Sequence, residues 1–290
     1  MMAPNEEHEA MSEPSFKELL GPNGFFEKRG DTGILLIHGL TGTPAEMRHF
    51  GRQLARRGLT VACPQLAGHC NSVHALKTST WQDWYRTVDE CFEALARECK
   101  QVYVAGLSMG ALLALLLAAE KKERLAGLSL LSTTFFYDGW NVPKWRQRLL
   151  LPLVIYSPLR HFLSWNEPPP YGIKDERVRA MVHAVLENRD ARTADKIGHF
   201  KTPASVIRES KRLIRATKLC LNKVCRPMLV VHANEDDMAS VANAHFVASS
   251  VASDQVETYF VDDSYHVVTL DKRRDDFALR VATFCQPAFA

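Results

Sequence analysis

A five-residue pattern, Gly106-Leu-Ser-Met-Gly110, separates two apolar runs and restricts how this chain can fold. The run before it, 101–105, is typical of a buried strand, and the run after it, 111–119, is typical of a buried helix. Glycines two residues either side of Ser108 allow the strand and the helix to approach closely, as a nucleophile elbow requires. A Gly-rich turn in which Ser108 only caps the helix is the alternative. The flanking strand and helix favour the elbow, with Ser108 at its tip.

The rest of the chain alternates strand-like apolar runs with amphipathic helical stretches, which is typical of βαβ units. A helix is expected from Pro44 to about Gly58, with Thr43 as its cap. Other helices are expected at 81–98, about 241–250 and about 271–285, and strands at 33–37, 59–62, 125–131, 227–232 and 255–261. The predicted fold class is therefore α/β, with a mostly parallel central sheet flanked by helices.

Residues from about 133 to 201 interrupt this alternation, and the stretch is too long for an ordinary connection. We predict a helical cap at 133–201, inserted into a core formed by 25–132 and 202–290, with residues 1–24 as an N-terminal tail whose start is poorly ordered. The cap aromatics are candidates for packing onto the core or lining an acyl site, although any single one is more often part of a small core of the cap itself. They are Trp140, Trp145, Phe162 and Trp165.

A serine hydroxyl becomes a nucleophile at neutral pH when a histidine accepts its proton and an acid orients that histidine. On this fold the chain order is serine, acid, histidine. The polar loop 233–238 follows one predicted strand, and His266 lies in the loop after the last one. We therefore predict Ser108, Asp236 and His266 as the catalytic residues, with Asp237 as the other candidate acid.

The loop after the first long strand, His38-Gly39-Leu40-Thr41-Gly42, is the candidate partner of the elbow. Its alternative role is a simple strand-ending turn. With the elbow beside it, the backbone N–H groups of Leu40 and Met109 are predicted to form an oxyanion hole, a feature worth several kcal/mol in a transition state.

Composition excludes several other classes of function. The chain has 290 residues, 46% of them apolar, and a formal charge of +3 without a basic stripe, so no nucleic-acid partner is expected. No apolar run reaches the roughly 18 residues of a transmembrane segment. The acidic N-terminus does not resemble a secretory signal, and the seven scattered cysteines suggest reduced thiols, so a cytoplasmic location is expected. No metal or organic cofactor is implied, and the oligomeric state stays open.

These motifs resemble those of the α/β-hydrolase superfamily, particularly its bacterial carboxylesterases and monoacylglycerol lipases. The similar stretches are 35–42, 106–110, the loop with Asp236 and Asp237, and 265–271. The resemblance favours Asp236 over Asp237 as the acid. The chain departs from the usual pattern at Ala111, Cys70 and Tyr265, and the last two of these affect the expected size of the substrate.

The resemblance and the predicted triad together imply a serine hydrolase that cleaves carboxylic esters through an acyl-enzyme on Ser108. Short or medium-chain acyl esters or a monoacylglycerol, small lipophilic molecules, are the expected substrates. The same triad could serve a thioesterase, an acyltransferase, a peptidase or a C–C hydrolase, because the motifs do not separate these activities. A non-catalytic protein that binds a small ligand in the same pocket is the remaining interpretation.

Overall fold

The computed structural model of the protein describes residues 15–143, 145, 149–187 and 201–286. A seven-stranded sheet runs through it in the order β1-β3-β2-β4-β5-β8-β9, and only the β1–β3 pair is antiparallel. The strands are β1 (Phe25–Glu27), β2 (Thr32–Ile37), β3 (Thr60–Cys63), β4 (Gln101–Leu107), β5 (Gly127–Leu131), β8 (Met228–Ala233) and β9 (Val256–Val261). Because parallel strands end at the same edge, the loops after β2, β4, β8 and β9 lie side by side.

Helices cover both faces of this sheet. They are α1 (Phe16–Leu20), α2 (Pro44–Arg56), α3 (Val73–Thr78), α4 (Trp81–Glu98), α5 (Met109–Lys121), α6 (Leu151–Ile155), α7 (Glu176–Glu187), α8 (Ala204–Lys218), α9 (Ala242–Ser250) and α10 (Arg274–Cys285). Short 3-10 turns occupy Lys122–Arg124, Pro158–His161 and Leu221–Lys223. As predicted, Thr43 caps α2, its side chain accepting the N–H of Ala45.

Successive residues of each buried strand contribute to opposite faces of the sheet. Leu35 and Ile37 of β2 pack in the larger core, with α4 and α5. Ile34 and Leu36 pack in the other core, with α2 and α10. Both faces of the parallel strands are therefore buried, which explains why β2 and β4 read as continuous apolar runs.

The predicted α/β fold class is confirmed, and the predicted strands and helices of the core are present with small shifts at their ends. The last helix begins at Arg274 rather than near Asp271, because the buried Asp271 carboxylate accepts backbone N–H groups of neighbouring loops. The short strand β1 and the helices α3 and α8 were not among the predicted elements.

The chain between β5 and β8 contains the stretch predicted as a cap. It holds α6, α7 and an antiparallel pair of strands, β6 (Ser164–Asn166) and β7 (Lys201–Pro203), before α8 returns to the sheet. Residues 144, 146–148 and 188–200 of this stretch, and 1–14 of the predicted tail, lie outside the described residues. The domain limits of 25–132, 133–201 and 202–290 stay a prediction. Of the helices in the described ranges, none has the length and apolar character needed to cross a membrane.

Candidate active site

The turn between β4 and α5 has the geometry of an elbow. Ser108 lies in a left-handed backbone conformation, with φ of 55°, and its side chain does not cap α5. A Cβ on Gly106 would come within 2.2 Å of the Gly110 carbonyl oxygen, and one on Gly110 within 2.3 Å of that of Ile37. Only glycine fits either position, as the spacing of the motif predicts.

Ser108, His266 and Asp236 are joined by hydrogen bonds. Nε2 of His266 lies 2.9 Å from Oγ of Ser108. On the other side of the ring, Nδ1 lies 2.8 Å and 3.0 Å from the two carboxyl oxygens of Asp236. Asp236 and His266 follow β8 and β9, whereas Ser108 follows β4, so neighbouring loops at one edge of the sheet bring the three together.

The carboxylate of Asp236 is itself held by backbone groups. Its Oδ1 accepts the N–H groups of Met238 and Ala239, at 2.9 Å and 2.8 Å. His232 lies against it and donates through Nε2 to the Ala239 carbonyl oxygen. These contacts fix the carboxylate in the orientation in which it meets His266.

Charge around His266 favours the protonated imidazole. Burial by itself lowers the pKa of His266, but the carboxylate of Asp236, with smaller effects from Asp237 and Glu167, outweighs burial and holds that pKa above 6.5. Burial likewise opposes the charge of Asp236, yet His266 and the Ala239 N–H lower the pKa of that carboxyl. The pair is therefore suited to stabilise an imidazolium once a proton has been accepted.

Asp237, the other candidate acid, is fully buried but does not join this chain of hydrogen bonds. Neither of its carboxyl oxygens has a hydrogen-bond partner among the described residues. Burial raises its pKa, with the attraction of His266 acting in the opposite direction. The geometry thus separates two adjacent aspartates: Asp236 bonds to the imidazole and Asp237 only adds negative potential near it.

The loop after β2 lies against the start of α5. A Cβ on Gly39 would lie 3.7 Å from Cβ of Ser108, so the loop of Leu40 lies beside the serine. Met109 is the first residue of α5, where a backbone N–H has no partner within the helix. Met109 therefore directly follows Ser108, and Gly39, the neighbour of Leu40, lies beside the serine; an oxyanion hole formed by the N–H groups of Leu40 and Met109 stays a prediction.

The buried ring of His38 holds this loop in place. Burial lowers the pKa of His38 to about 4, so the ring is neutral. Its Nε2 accepts the N–H of Leu66 at 3.2 Å, which leaves the proton on Nδ1, 3.0 Å from the Gly39 carbonyl oxygen. The ring thus ties the loop to the segment after β3.

Glu46, in the first turn of α2, is a residue of the site that our sequence analysis missed. Its Oε1 accepts the N–H of Gly39 at 2.6 Å. Its carboxylate fills the space beside Gly42, where a Cβ would approach it to 2.4 Å. Burial raises the pKa of Glu46 to about 7. The signal was the spacing Thr43-x-x-Glu46, which usually marks a capping box; here the carboxylate reaches beyond the cap to Gly39.

Two further polar side chains face this region. Oγ1 of Thr134 lies 3.1 Å from Oγ of Ser108 and donates to the Ser132 carbonyl oxygen. Glu167, after β6, interacts electrostatically with His266 and Glu46, and burial raises its pKa to about 7. Neither residue belongs to a recognisable sequence motif, so the sequence offers no reason to select it.

The four candidate aromatic residues lie in the chain between β5 and β8, which we call the inserted stretch. Their environments differ. Trp165 packs on a small cluster around Val154, Ile155 and Ala204. Trp140, Trp145 and Phe162 are exposed. Trp140 also contacts the ring of Tyr265, next to His266, with centroids 5.6 Å apart. Among these four, Trp140 is thus close to the histidine loop, and Phe162 has its ring in solvent.

The chain is similar to known proteins along most of its length. The family model described as "Serine aminopeptidase, S33" matches residues 30–273. The chain belongs to that family. It is 29% identical over 261 residues to the thermostable monoacylglycerol lipase of Bacillus sp. (strain H-257), covering 90% of this chain and 92% of the lipase. It is 26% identical over 264 residues to the carboxylesterase of Bacillus subtilis (strain 168), covering 89% and 94%.

Solved structures agree on the fold. A structure of a metagenome-derived lipolytic enzyme matches with a TM-score of 0.76 at 23% identity, covering 91% of this chain and 97% of that one. The chain has the α/β-hydrolase fold, as the motifs suggested. Among the described residues, no group of three or more His, Cys, Asp or Glu side chains is arranged to hold a metal ion.

Proposed function

We propose that this protein is a serine hydrolase that cleaves carboxylic esters, with Ser108, His266 and Asp236 as its catalytic residues. The observation that carries the proposal is the unbroken series of hydrogen bonds from Oγ of Ser108 through both ring nitrogens of His266 to Asp236. The similarity to a monoacylglycerol lipase and a carboxylesterase over about nine-tenths of the chain supports esters as the substrates. Lipophilic acyl esters, including monoacylglycerols, are the proposed class.

The reaction uses each group in turn. Oγ of Ser108 attacks the ester carbonyl carbon while Nε2 of His266 takes its proton, and the N–H groups of Leu40 and Met109 hold the resulting oxyanion. His266 then passes the proton to the leaving alkoxide, the alcohol departs, and an acyl-serine ester remains. A water molecule, deprotonated by His266, attacks this ester; Ser108 takes the proton back and the carboxylic acid is released.

Glu46 has a positioning role in this proposal. Its carboxyl group holds Gly39, the neighbour of Leu40, and so fixes the direction of the loop N–H that faces the oxyanion. Because a carboxylate this close to the oxyanion would oppose its charge, the raised pKa of Glu46 favours the reaction by keeping part of the population neutral. Residues 133–201 are proposed as the cap that covers the acyl group.

The test is hydrolysis of p-nitrophenyl esters of increasing acyl length by the wild type and Ser108→Ala. We expect turnover with a preferred chain length in the wild type and a loss of at least about 10³-fold in the variant. Thr134→Val, which removes the other hydroxyl beside Oγ, is the matched control and should retain activity. Equal rates in wild type and Ser108→Ala would refute the assignment.

A peptidase is the second candidate, because the matching family model is described as a serine aminopeptidase. Aminoacyl p-nitroanilides, measured beside the esters with the same two proteins, separate the possibilities. Ester turnover with no release from anilides supports the esterase. Serine-dependent release from anilides at a comparable kcat/KM would replace it with the peptidase.

A further inference from the structure

The side chain of Asn243 is fully buried in the first turn of α9 and makes hydrogen bonds to two segments of the chain. Its Oδ1 accepts the N–H groups of Phe135 and Phe136, at 2.8 Å and 2.7 Å. Its Nδ2 donates toward three oxygens, the carbonyl oxygens of Phe136 and Ser240 at 3.1 Å each and Oδ1 of Asp138 at 3.2 Å. One amide therefore joins the start of the inserted stretch to the loop between β8 and α9.

Asp138 makes a second connection from the inserted stretch to this loop, residues 234–241, which we call the acid loop. Its Oδ1 accepts the N–H of Ser240 at 2.9 Å, and its Oδ2 accepts the Ser240 hydroxyl at 2.8 Å. Because Asn243 donates to the same Oδ1, the two side chains hold each other as well as the loop. We call Asp138 and Asn243 the clamp, since they form one hydrogen-bonded unit with a member on each side of the contact.

The backbones of the two segments also meet directly. The N–H of Gly139 donates to the Met238 carbonyl oxygen at 3.1 Å, and the N–H of Asn141 donates to the Asp237 carbonyl oxygen at 3.0 Å. A Cβ on Gly139 would lie 2.3 Å from the Asp237 carbonyl oxygen, so only glycine allows this approach. The clamp therefore closes a backbone contact that reaches the residues directly after Asp236.

This contact lies between the proposed acid and the proposed nucleophile. On one side, Met238 and Ala239 supply the N–H groups that hold Oδ1 of Asp236. On the other side, Oγ1 of Thr134, at the start of the inserted stretch, lies 3.1 Å from Oγ of Ser108. A shift of the acid loop would move the two N–H groups away from the carboxylate, and a displacement of about 1 Å in an active site can cost about a hundredfold in rate.

We propose that Asp138 and Asn243 are positioning residues that hold Asp236 in the orientation in which it bonds to His266. This role rests on the proposed function, because the clamp acts on the same reaction. The clamp fixes the acid loop against the first residues of the inserted stretch, and the acid loop in turn fixes the carboxylate. The inserted stretch thus supports the acid through its first residues, whatever the rest of the stretch covers.

The test is kcat and KM for a p-nitrophenyl ester in Asn243→Leu, which is nearly isosteric and leaves the N–H groups of Phe135 and Phe136 without their acceptor. We expect kcat to fall about ten- to a hundredfold while KM changes less than about threefold, because the acid moves and the acyl site does not. Asp138→Ala should give the same result. Asp138 is only half-buried, so this second variant keeps the test open if Asn243→Leu does not fold.

Asp138→Asn is the conservative variant. Its amide oxygen can still accept the N–H groups of Ser240 and Asn243, and its NH₂ can donate to the Ser240 hydroxyl. It should therefore recover most of the kcat that Asp138→Ala loses. A loss as large as that of Asp138→Ala would refute a role through hydrogen bonds.

Thr60→Val is the matched control for the loss of buried hydrogen bonds. Thr60 is fully buried, and its hydroxyl donates to the Gly30 carbonyl oxygen at 2.7 Å and accepts the N–H of Arg29 at 2.8 Å. It begins β3, which is parallel to β2, so it lies at the edge of the sheet opposite the loops that carry the triad. Its replacement should lower the melting temperature and leave kcat unchanged.

The hydrogen bond between His266 and Asp236 can also be observed without substrate. A proton held between Nδ1 of the imidazole and the carboxylate resonates far downfield in a proton NMR spectrum. We expect this resonance in the wild type, the conservative variant and the matched control, and its loss or an upfield shift in the two clamp variants. Because the signal needs neither Ser108 nor substrate, it still reports on the clamp if the ester assignment fails.

Three further outcomes would overturn the proposal. The first is a kcat like that of the wild type in both Asn243→Leu and Asp138→Ala. The second is an equal loss of kcat in Thr60→Val, which would assign the effect to stability alone. The third is a lower kcat beside an unchanged downfield resonance, which would mean that the clamp does not act through Asp236.

Discussion

Asp236 and Asp237 are adjacent, and replacing each with asparagine should have very different effects on ester hydrolysis. In Asp236→Asn, the amide oxygen can keep the N–H groups of Met238 and Ala239, which places the amide NH₂ opposite Nδ1 of His266. Because that group donates, the imidazole must carry its proton on Nε2, facing Ser108. A ring in this tautomer cannot accept the serine proton.

The size of the loss follows from that change of tautomer. The equivalent substitution in serine proteases lowers kcat about 10⁴-fold, which corresponds to about 5.5 kcal/mol of transition-state stabilisation. Asp237→Asn leaves all these hydrogen bonds in place and removes only a nearby charge, so we expect less than about a tenfold change. Since the charge of Asp237 raises the pKa of His266, its removal should also move the acidic limb of the pH profile to lower pH.

The assay is kcat/KM for a p-nitrophenyl ester from about pH 5 to 10, with the melting temperature measured for each variant. Both substitutions are nearly isosteric and at buried positions, so each serves as the control for the other. A loss of about 10⁴-fold in Asp237→Asn with an active Asp236→Asn would reverse the assignment. Equal moderate losses in both would refute the argument from tautomers.

Three other predictions concern the charged groups of the site. The raised pKa of His266 predicts that kcat/KM of the wild type rises with pH through a limb above 6.5, because only the neutral ring is a base; a limb below 6 would contradict it. Glu46→Ala leaves the buried N–H of Gly39 unpaired, at a cost of about 1–3 kcal/mol, and should lower kcat about ten- to a hundredfold with little change in KM. Glu46→Gln, which can still accept that N–H, should recover most of the activity, and equal losses would exclude the positioning role. Burial raises the pKa of Glu167 from 4.5 to about 7 in the folded protein. The contribution of this carboxyl group to folding stability is therefore full below about pH 4.5 and is lost as the pH rises through 7. The melting temperature of Glu167→Gln should thus fall less than that of the wild type between about pH 5 and 8, and parallel curves would show that this carboxyl does not titrate as described.

The core of the fold could be predicted from the sequence because its strands are buried on both faces. Such strands read as continuous apolar runs, and β2, β4, β5 and β8 were found in this way. Strand β1 has three residues and pairs only at an edge, so it carries no such signal. Helix α8 has an amphipathic pattern, but it begins at Ala204, directly after β7 and just past the predicted end of the cap, where no strand or helix start was recognised.

The proposed catalytic residues were predictable for a different reason. Ser108, Asp236 and His266 each follow a core strand in the order that the fold requires, so topology alone places them near one another. Glu46, Thr134 and Glu167 could not be found in this way. Their contacts with the site depend on side-chain directions and on the path of the inserted stretch, which no local pattern encodes.

The side chain of Asp271 joins the stretch between β5 and β8 to the loop that carries His266. Its carboxylate is fully buried and accepts the N–H groups of Lys174 and Asp175 from the inserted stretch, and of Tyr265 from the histidine loop. A second bond joins the same segments, from the N–H of Val267 to the Gly172 carbonyl oxygen at 2.7 Å. Because a buried N–H left without a partner costs free energy, the two segments are held in one arrangement. Residues 172–175 are thus fixed to the loop that carries His266, and this connection keeps the base in register with Ser108.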